Sequence, residues 1–331
     1  MSATKLEGAG GGFGIVDFAS KWGTVLALVV LLAFFSLYMP ETFPTYSNAI
    51  TIFRSFSITC VIAIGVTVSL TVNGFDLSVG SAATLCGTLV MSFFIWHELP
   101  IVLSVPMALC LTLVVALVNM FLIVKCRIPD ILATLSSMFI FEGVAMTYAG
   151  GGSVTENMAR LDGTPTSGTV PALFKLLGRS PWIILVMLVV VVVVHIFLTY
   201  TKHGRYQYVV GGNLEAARLC GIAVNRYRAL AYVLSALFAS VGGLMLAARV
   251  GAAQINAGSG YLMPSVAAAY IGFSVAGVGK PNAIGTFVGA LLIGILENGL
   301  VMMSFPYYAI NIVKGAVLAL ALASTYFRER K

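Results

Sequence analysis

Six polar residues stand in or beside stretches that are otherwise apolar: Asn73, Asp76, Ser78, Glu142, Glu297 and Asn298. An acid or amide in such a stretch is costly unless it meets a partner, water or a cavity. All six are therefore candidates for lining a polar pathway. Plainer roles compete. Asp76, within Asn73-Gly74-Phe75-Asp76-Leu77-Ser78-Val79-Gly80-Ser81, is also placed to cap the helix that follows. Glu142, Glu297 and Asn298 are equally compatible with buried hydrogen bonding. The residues of bond-making chemistry are not grouped. Cys60, Cys86, Cys110, Cys126 and Cys220 contain no C-x-x-C pair, and His97, His195 and His203 are scattered. No metal-ligand spacing and no nucleophile–base pair is visible. Gly279-Lys280 resembles the end of a phosphate-binding loop, but Pro281 follows where Ser or Thr is required and Ser274 stands in place of the first glycine. No catalytic residue, metal or cofactor is expected on this chain, and any ATP must be hydrolysed elsewhere.

A second group has the chemistry of a surface helix. In His203 through Ile222, Asn213 is a good N-cap and Glu215 suits the first turn by the helix dipole. Ala216 and Ala217 are small, Arg218 is basic, and Gly221 suits the C-terminal end. A short amphipathic helix of about eight residues is expected here. An ordinary solvated loop helix is the alternative.

The elements that carry these residues follow from composition. Of 331 residues, 59% are hydrophobic and 9% charged, against roughly 25% charged in soluble domains. The apolar residues come in long uncharged runs, such as 22–39 and 182–201. About 20 apolar residues at 1.5 Å each cross a ~30 Å hydrocarbon layer. The first run is followed by Pro40-Glu41 with no small-x-small cleavage site, so it is expected to remain as a helix.

The expected fold is an all-α polytopic membrane protein of about ten transmembrane helices, with both termini cytoplasmic. The spans are 22–39, 47–71, 77–96, 101–124, 130–149, 181–200, 229–250, 263–278, 283–303 and 307–327, punctuated by prolines. Residues 1–21 form a flexible cytoplasmic tail, 22–327 the membrane domain and 328–331 a basic cytoplasmic tail.

The charges test this topology. With the N-terminus inside, the cytoplasmic stretches hold Lys5, Lys21, Lys125, Arg127, Lys202, Arg205, Arg218, Arg226, Arg228, Lys280, Arg328, Arg330 and Lys331. The outside stretches hold only Arg160, Lys175 and Arg179, while Arg54, Arg249 and Lys314 fall within spans. This is the positive-inside pattern. The net charge of +7 thus marks a face near anionic lipid rather than a nucleic-acid surface. Two loops are long: 150–180 outside, rich in Gly, Ser, Thr and Pro, and 201–228 inside. Small-x-x-x-small pairs such as Gly285 with Gly289, together with Gly242-Gly243 and Gly294, permit close helix packing in lipid.

Over about residues 45–325 the sequence resembles the permease subunits of ribose/xylose/galactose-type bacterial importers driven by ATP-binding-cassette (ABC) proteins, a family shared with branched-chain amino acid permeases. Gly74-Phe75-Asp76-Leu77-Ser78-Val79-Gly80 is similar to the family's G-x-D-L-S-V-G. Gly211-Gly212-Asn213, Ala216-Ala217 and Gly221-Ile222 are similar to G-G-N-x-x-A-A-x-x-x-G-I. Lesser matches are Ala133-Thr134-Leu135, Gly285-Thr286 through Gly289, and Asn298-Gly299-Leu300. The resemblance implies a multi-pass protein of the bacterial cytoplasmic membrane. Its implied partners are membrane lipid, a second permease (a copy or a paralogue), an extracytoplasmic solute-binding protein, and ATPase subunits that carry the ATP and Mg. Gly211, Gly212, Asn213, Glu215, Ala216, Ala217, Arg218 and Gly221 would form the coupling helix that docks on the ATPase. The implied solute is a small sugar. Leu262-Met263-Pro264, Glu142 and Gly272-Phe273 depart from the ribose-type pattern, which bears on the solute and not on the transporter class. Two other readings remain: an ion-coupled secondary transporter using Glu142, Glu297 or Asp76, and an ABC permease for a nucleoside or amino acid.

Overall fold

The structure, a computed structural model, describes residues 15–273, 275, 279–306, 308–317 and 319, with side chains from residue 23 onward. Of the terminal expectations, residues 1–14 and 328–331, with Lys5, Arg328, Arg330 and Lys331, lie outside the described residues, as does the side chain of Lys21; residues 15–21, expected in the flexible tail, form the start of α1. A helix overlaps each expected span. These are α1 (Ile15–Tyr38), α2 (Tyr46–Thr71), α3 (Val79–Ile95), α4 (Ile101–Thr112) with α5 (Val114–Met120) and a π turn (Phe121–Lys125), α6 (Asp130–Tyr148), α8 (Trp182–Tyr200), α11 (Val224–Val250), α12 (Ser259–Phe273), α13 (Ala283–Met302) and a helix over 308–317. Six are long and apolar enough to cross a membrane: Tyr46–Thr71, Ile101–Lys125, Asp130–Tyr148, Trp182–Tyr200, Val224–Val250 and Ala283–Met302. The apolar stretches Gly23–Tyr38 and Val79–Ile95 are shorter.

Two differences from the sequence reading have physical causes. The inner loop 201–228 is mostly helix. Thr201 caps α9 (Lys202–Gly212) by accepting from Gly204 N, α10 (Leu214–Leu219) follows, and α11 already begins at Val224. Low hydropathy hid α9 and the first turn of α11, which lie at a polar surface, whereas α10 is the helix the capping residues lead one to expect. The outer loop 150–180 also carries structure: α7 (Ala172–Leu177), and β1 (Val154–Thr155) paired antiparallel with β2 (Ala252–Ala253).

The core is built on α2, α3 and α11. Every residue of α3 is buried, and α2 buries a continuous stretch from Phe56 to Ser69. Small residues make the contacts close. A Cβ on Gly243 would lie 2.2 Å from the Ala83 carbonyl oxygen, and one on Gly289 would lie 2.3 Å from that of Ala268. Such approach gives dispersion contact where lipid supplies no hydrophobic drive between helices. On its outer face, α8 leaves Leu185, Val189, Val192, Val193 and Ile196 about half exposed.

The connecting segments sort to two ends of this bundle. At one end, Thr71 Oγ1 donates to Gln207 Oε1 at 3.1 Å and Tyr208 OH donates to the Pro281 carbonyl at 2.6 Å. Stretches 72–78, 126–129, 201–223 and 279–282 meet there. At the other end, Arg160 Nε donates to the Trp96 carbonyl at 2.7 Å, and Gly178 packs on the backbone of Ala248 and Arg249.

Candidate functional site

The segment Val72 to Ser78 carries the first candidates. Asn73 is exposed and left-handed (φ 55°), which breaks α2. Asp76 is wholly buried. Its Oδ1 accepts from Ser78 N at 2.9 Å and Ser78 Oγ at 2.6 Å, while Oδ2 has no partner among the described residues. Asn119 Nδ2 of α5 donates to Ser78 Oγ at 2.8 Å. Asp76 therefore folds the linker rather than capping α3 in the ordinary way. Burying backbone that is not helical is tolerated at membrane depth only where side chains satisfy it.

A second layer lies beneath this linker. Asp130, at the start of α6, accepts from the Arg228 guanidinium on Oδ1 and from the Tyr232 hydroxyl on Oδ2. Thr134 Oγ1 donates to the Phe75 carbonyl at 3.1 Å. Asp130, Arg228 and Tyr232 were not singled out from the sequence. Asp130 reads as the first residue of a helix and Arg228 as one of many basic residues. The separation along the chain gives no local pattern to find them by.

The remaining candidates are elsewhere. Glu142 Oε1 accepts from Ser259 Oγ at 2.6 Å. Glu142 lies roughly 18 Å along α6 from Asp130 by helix rise, which places the start of α12 near mid-depth. Glu297 pairs with Lys314 Nζ at 3.0 Å, and Asn298 Nδ2 donates to Asn48 Oδ1 at 2.8 Å. A groove of about 330 Å³ runs between α12, α13 and helix 308–317, with Ser259, Met263, Ile293 and Lys314 on its walls. The six pathway candidates thus do not converge. Asp76 and Ser78 form one cluster, Glu142 and Glu297 flank the start of α12 through their partners, and Asn298 joins α13 to α2. An acid within a span must find a partner, and this was legible; which cation it finds was not.

At the end that carries the linker, Asn213 Oδ1 accepts from Ala216 N at 2.9 Å, capping α10 as expected. Helix α10 has six residues, and Gly221 ends the turn with φ 75°. Glu215, Ala216 and Arg218 point outward while Ala217 is buried. Gly212 is exposed, whereas Gly211 packs so closely that a Cβ there would lie 2.1 Å from the Thr71 carbonyl. Leu219 is 89% exposed, an apolar side chain with no cover in the single chain.

At the opposite end Glu156 fastens the outer loop. Its Oε1 accepts from Val170 N at 2.7 Å and from Lys175 Nζ at 3.0 Å. The backbone bond from Val170, and then Lys175, hold its carboxyl below the ordinary glutamate value. Asp162 is likewise lowered, by Thr164. Among the described residues no group of three or more His, Cys, Asp or Glu could hold a metal.

Residues 48–322 match the family described as branched-chain amino acid transport system / permease component. The chain is 35% identical over 303 residues to the ribose import permease protein RbsC of Escherichia coli (strain K12), covering 90% of this chain and 91% of that protein. It is 32% identical over 320 residues to RbsC of Haemophilus influenzae, covering 96% and 97%. To the xylose transport system permease protein XylH of the same organism it is 26% identical, covering 90% and 94%. No solved structure matches the chain.

Proposed function

The chain belongs to the branched-chain amino acid transport system / permease component family, and from that premise we propose that it is the membrane-spanning subunit of an ABC importer for a small, neutral, polyhydroxylated solute. Similarity over nine-tenths of the chain to relatives named for ribose and xylose supports the sugar class. The chain is a transport subunit without catalytic chemistry of its own. In this reading ten helices cross the cytoplasmic membrane with both termini inside. The 150–180 face receives an extracytoplasmic binding protein, a second permease completes the pathway, and a separate ATPase docks on the 201–228 segment.

The observation that carries the coupling assignment is α10. It is a capped, six-residue helix with an outward Ala216, an outward charge on each side of it, and an uncovered Leu219. A short helix with small and apolar outward residues suits a cleft on another protein. ATP binding there would shift the balance between outward- and inward-facing states, provided the ATPase contacts differ in the two.

Solute class is tested with the cognate binding protein. It should bind a pentose or hexose tightly. Binding of a branched-chain amino acid or nucleoside, with no sugar bound, overturns the sugar class and leaves the importer class standing. Uptake that survives loss of ATP with an ion gradient intact would instead support a secondary transporter.

A further inference from the structure

We propose that Asp130 is a positioning residue for energy coupling. It ties the beginning of α11, which leaves the α10 docking segment, to the linker Gly74–Ser78, so that movement of α10 is delivered to the buried Asp76 region. This rests on the proposed docking of α10 on an ATPase.

The mechanical path is short. α10 is joined to α11 by Cys220 to Ala223, and Ile222 N donates to the Ala217 carbonyl at 3.0 Å, so this junction is a closed turn rather than a slack tether. Arg228 lies just past the first turn of α11 and Tyr232 one turn further on. Both reach the same carboxylate, one to each oxygen of Asp130. The other side of that carboxylate is the linker backbone. A Cβ on Gly74 would lie 2.6 Å from the Tyr232 hydroxyl and 2.9 Å from Asp130 Oδ2. Gly74 thus rests directly on the pair, and Thr134 holds the next carbonyl, that of Phe75. Asp76 and Ser78 follow, bonded to each other and to Asn119.

The side chains of Arg228 and Asp130 are only 20% and 15% exposed. A pair withdrawn from water this far resists opening, because a lone buried charge is expensive. Such a contact moves as a unit and does not slide. It therefore suits the passing on of a rigid-body displacement, which a chain of exposed, screened contacts would dissipate.

The test uses the full chain in complex with its ATPase in nanodiscs. Exposed Cys110, Cys126 and Cys220 are replaced by serine, and Asn73→Cys carries an environment-sensitive fluorophore on the linker. Fluorescence is compared before and after trapping with ATP and vanadate, so no transported solute is needed. The parent complex should show a spectral shift. Asp130→Asn should reduce it by about tenfold, and Tyr232→Phe by a few-fold, within the range coupling residues command. ATPase pull-down should remain at the parental level in both. A clamp that merely holds the fold would not separate the shift from the pull-down. The proposal is overturned if the parent shows no shift, or if both variants keep the full shift. It is also overturned if Asp130→Asn loses the pull-down together with the shift. If Asp130→Asn does not reach the membrane, Tyr232→Phe decides, since it removes one hydroxyl only. Pull-down by Ala216→Trp separately tests the docking on which this rests; parental pull-down there refutes docking, whatever Asp130→Asn does.

Discussion

At the scale of single residues, the polar side chains divide by what neutralises them. Asp130 has Arg228, Glu297 has Lys314, Glu142 has the Ser259 hydroxyl, and Asp76 has hydrogen bonds but no cation partner among the described residues. Sequence alone flagged three of these acids because charge in an apolar run is expensive. It passed over Asp130 because an acid after a proline looks like an ordinary helix start. Gly74 shows the cost of such tight contact. Gly74→Ala should destabilise the protein by about 1–3 kcal/mol through overpacking, read as a lowered melting temperature in detergent. A melting temperature equal to that of the parent would show that Tyr232 and Asp130 can give way.

Glu156 supports a pH prediction at the same scale. Its folded-state value is lowered below 4.5 by the Val170 and Lys175 bonds. Its contribution is therefore fully present above the ordinary glutamate range and is lost as pH falls through the lowered folded value. Segment 154–175 should exchange amide hydrogens faster in acid, and Glu156→Gln should bring the fast exchange to neutral pH. Slow exchange in that variant at neutral pH would mean that the β1–β2 pairing and Arg160 hold the loop unaided.

At the scale of elements, the apolar runs made the helices legible. Their ends were less so: α1 begins at Ile15, ahead of the hydrophobic run, and α11 at Val224. In both, helix extends past the apolar stretch into a polar one, where hydropathy carries no signal. α12 is different. Its 15 residues rise about 22 Å, less than the ~30 Å hydrocarbon layer. It begins inside the bundle, where Gly258 N donates to Thr84 Oγ1 at 2.9 Å. A contact between distant segments sets that start, and periodicity does not report it.

Helix α10 was legible because capping is local chemistry. Its two alanines looked equivalent, and the fold makes them opposite: Ala217 is inward and Ala216 outward. Ala216→Trp should block docking sterically, abolishing ATPase pull-down and ATP-driven uptake while insertion stays normal. Glu215→Lys reverses the charge near the helix N-terminus, a loss of about 0.3–1 kcal/mol there, and should weaken pull-down without abolishing it. Parental pull-down by Ala216→Trp would refute docking, and full uptake with it would remove the coupling assignment altogether.

At the scale of the whole molecule, two independent observations agree. Basic residues sort by parity, and the connecting segments sort by contact. Stretches 72–78, 126–129, 201–223 and 279–282, which the charge count puts on one side, are held together by bonds in or immediately beside them: Thr71–Gln207, Tyr208–Pro281 and Arg228–Asp130. Loop 150–180 is bonded to Trp96 and packed on Arg249 at the far end. Positive charge at the first end supports the proposed orientation, with that end in the cytoplasm. Labelling with a membrane-impermeant maleimide tests this, and the structure selects the positions. Gln207 is wholly buried and would resist label on either side, whereas Glu215 is 86% exposed at the side chain. Ser167 is exposed on the outer loop. In a background with Cys110, Cys126 and Cys220 replaced by serine, Ser167→Cys should label in sealed cells. Glu215→Cys should label only after the membrane is opened. Restoring Cys220, exposed at the end of α10, should reproduce the Glu215→Cys result without a new side chain. Labelling of Glu215→Cys but not of Ser167→Cys in sealed cells would invert the orientation. Labelling of both Ser167→Cys and Glu215→Cys in sealed cells would place them on the same side, so an odd number of crossings between them, and with it the ten-helix arrangement, would be lost.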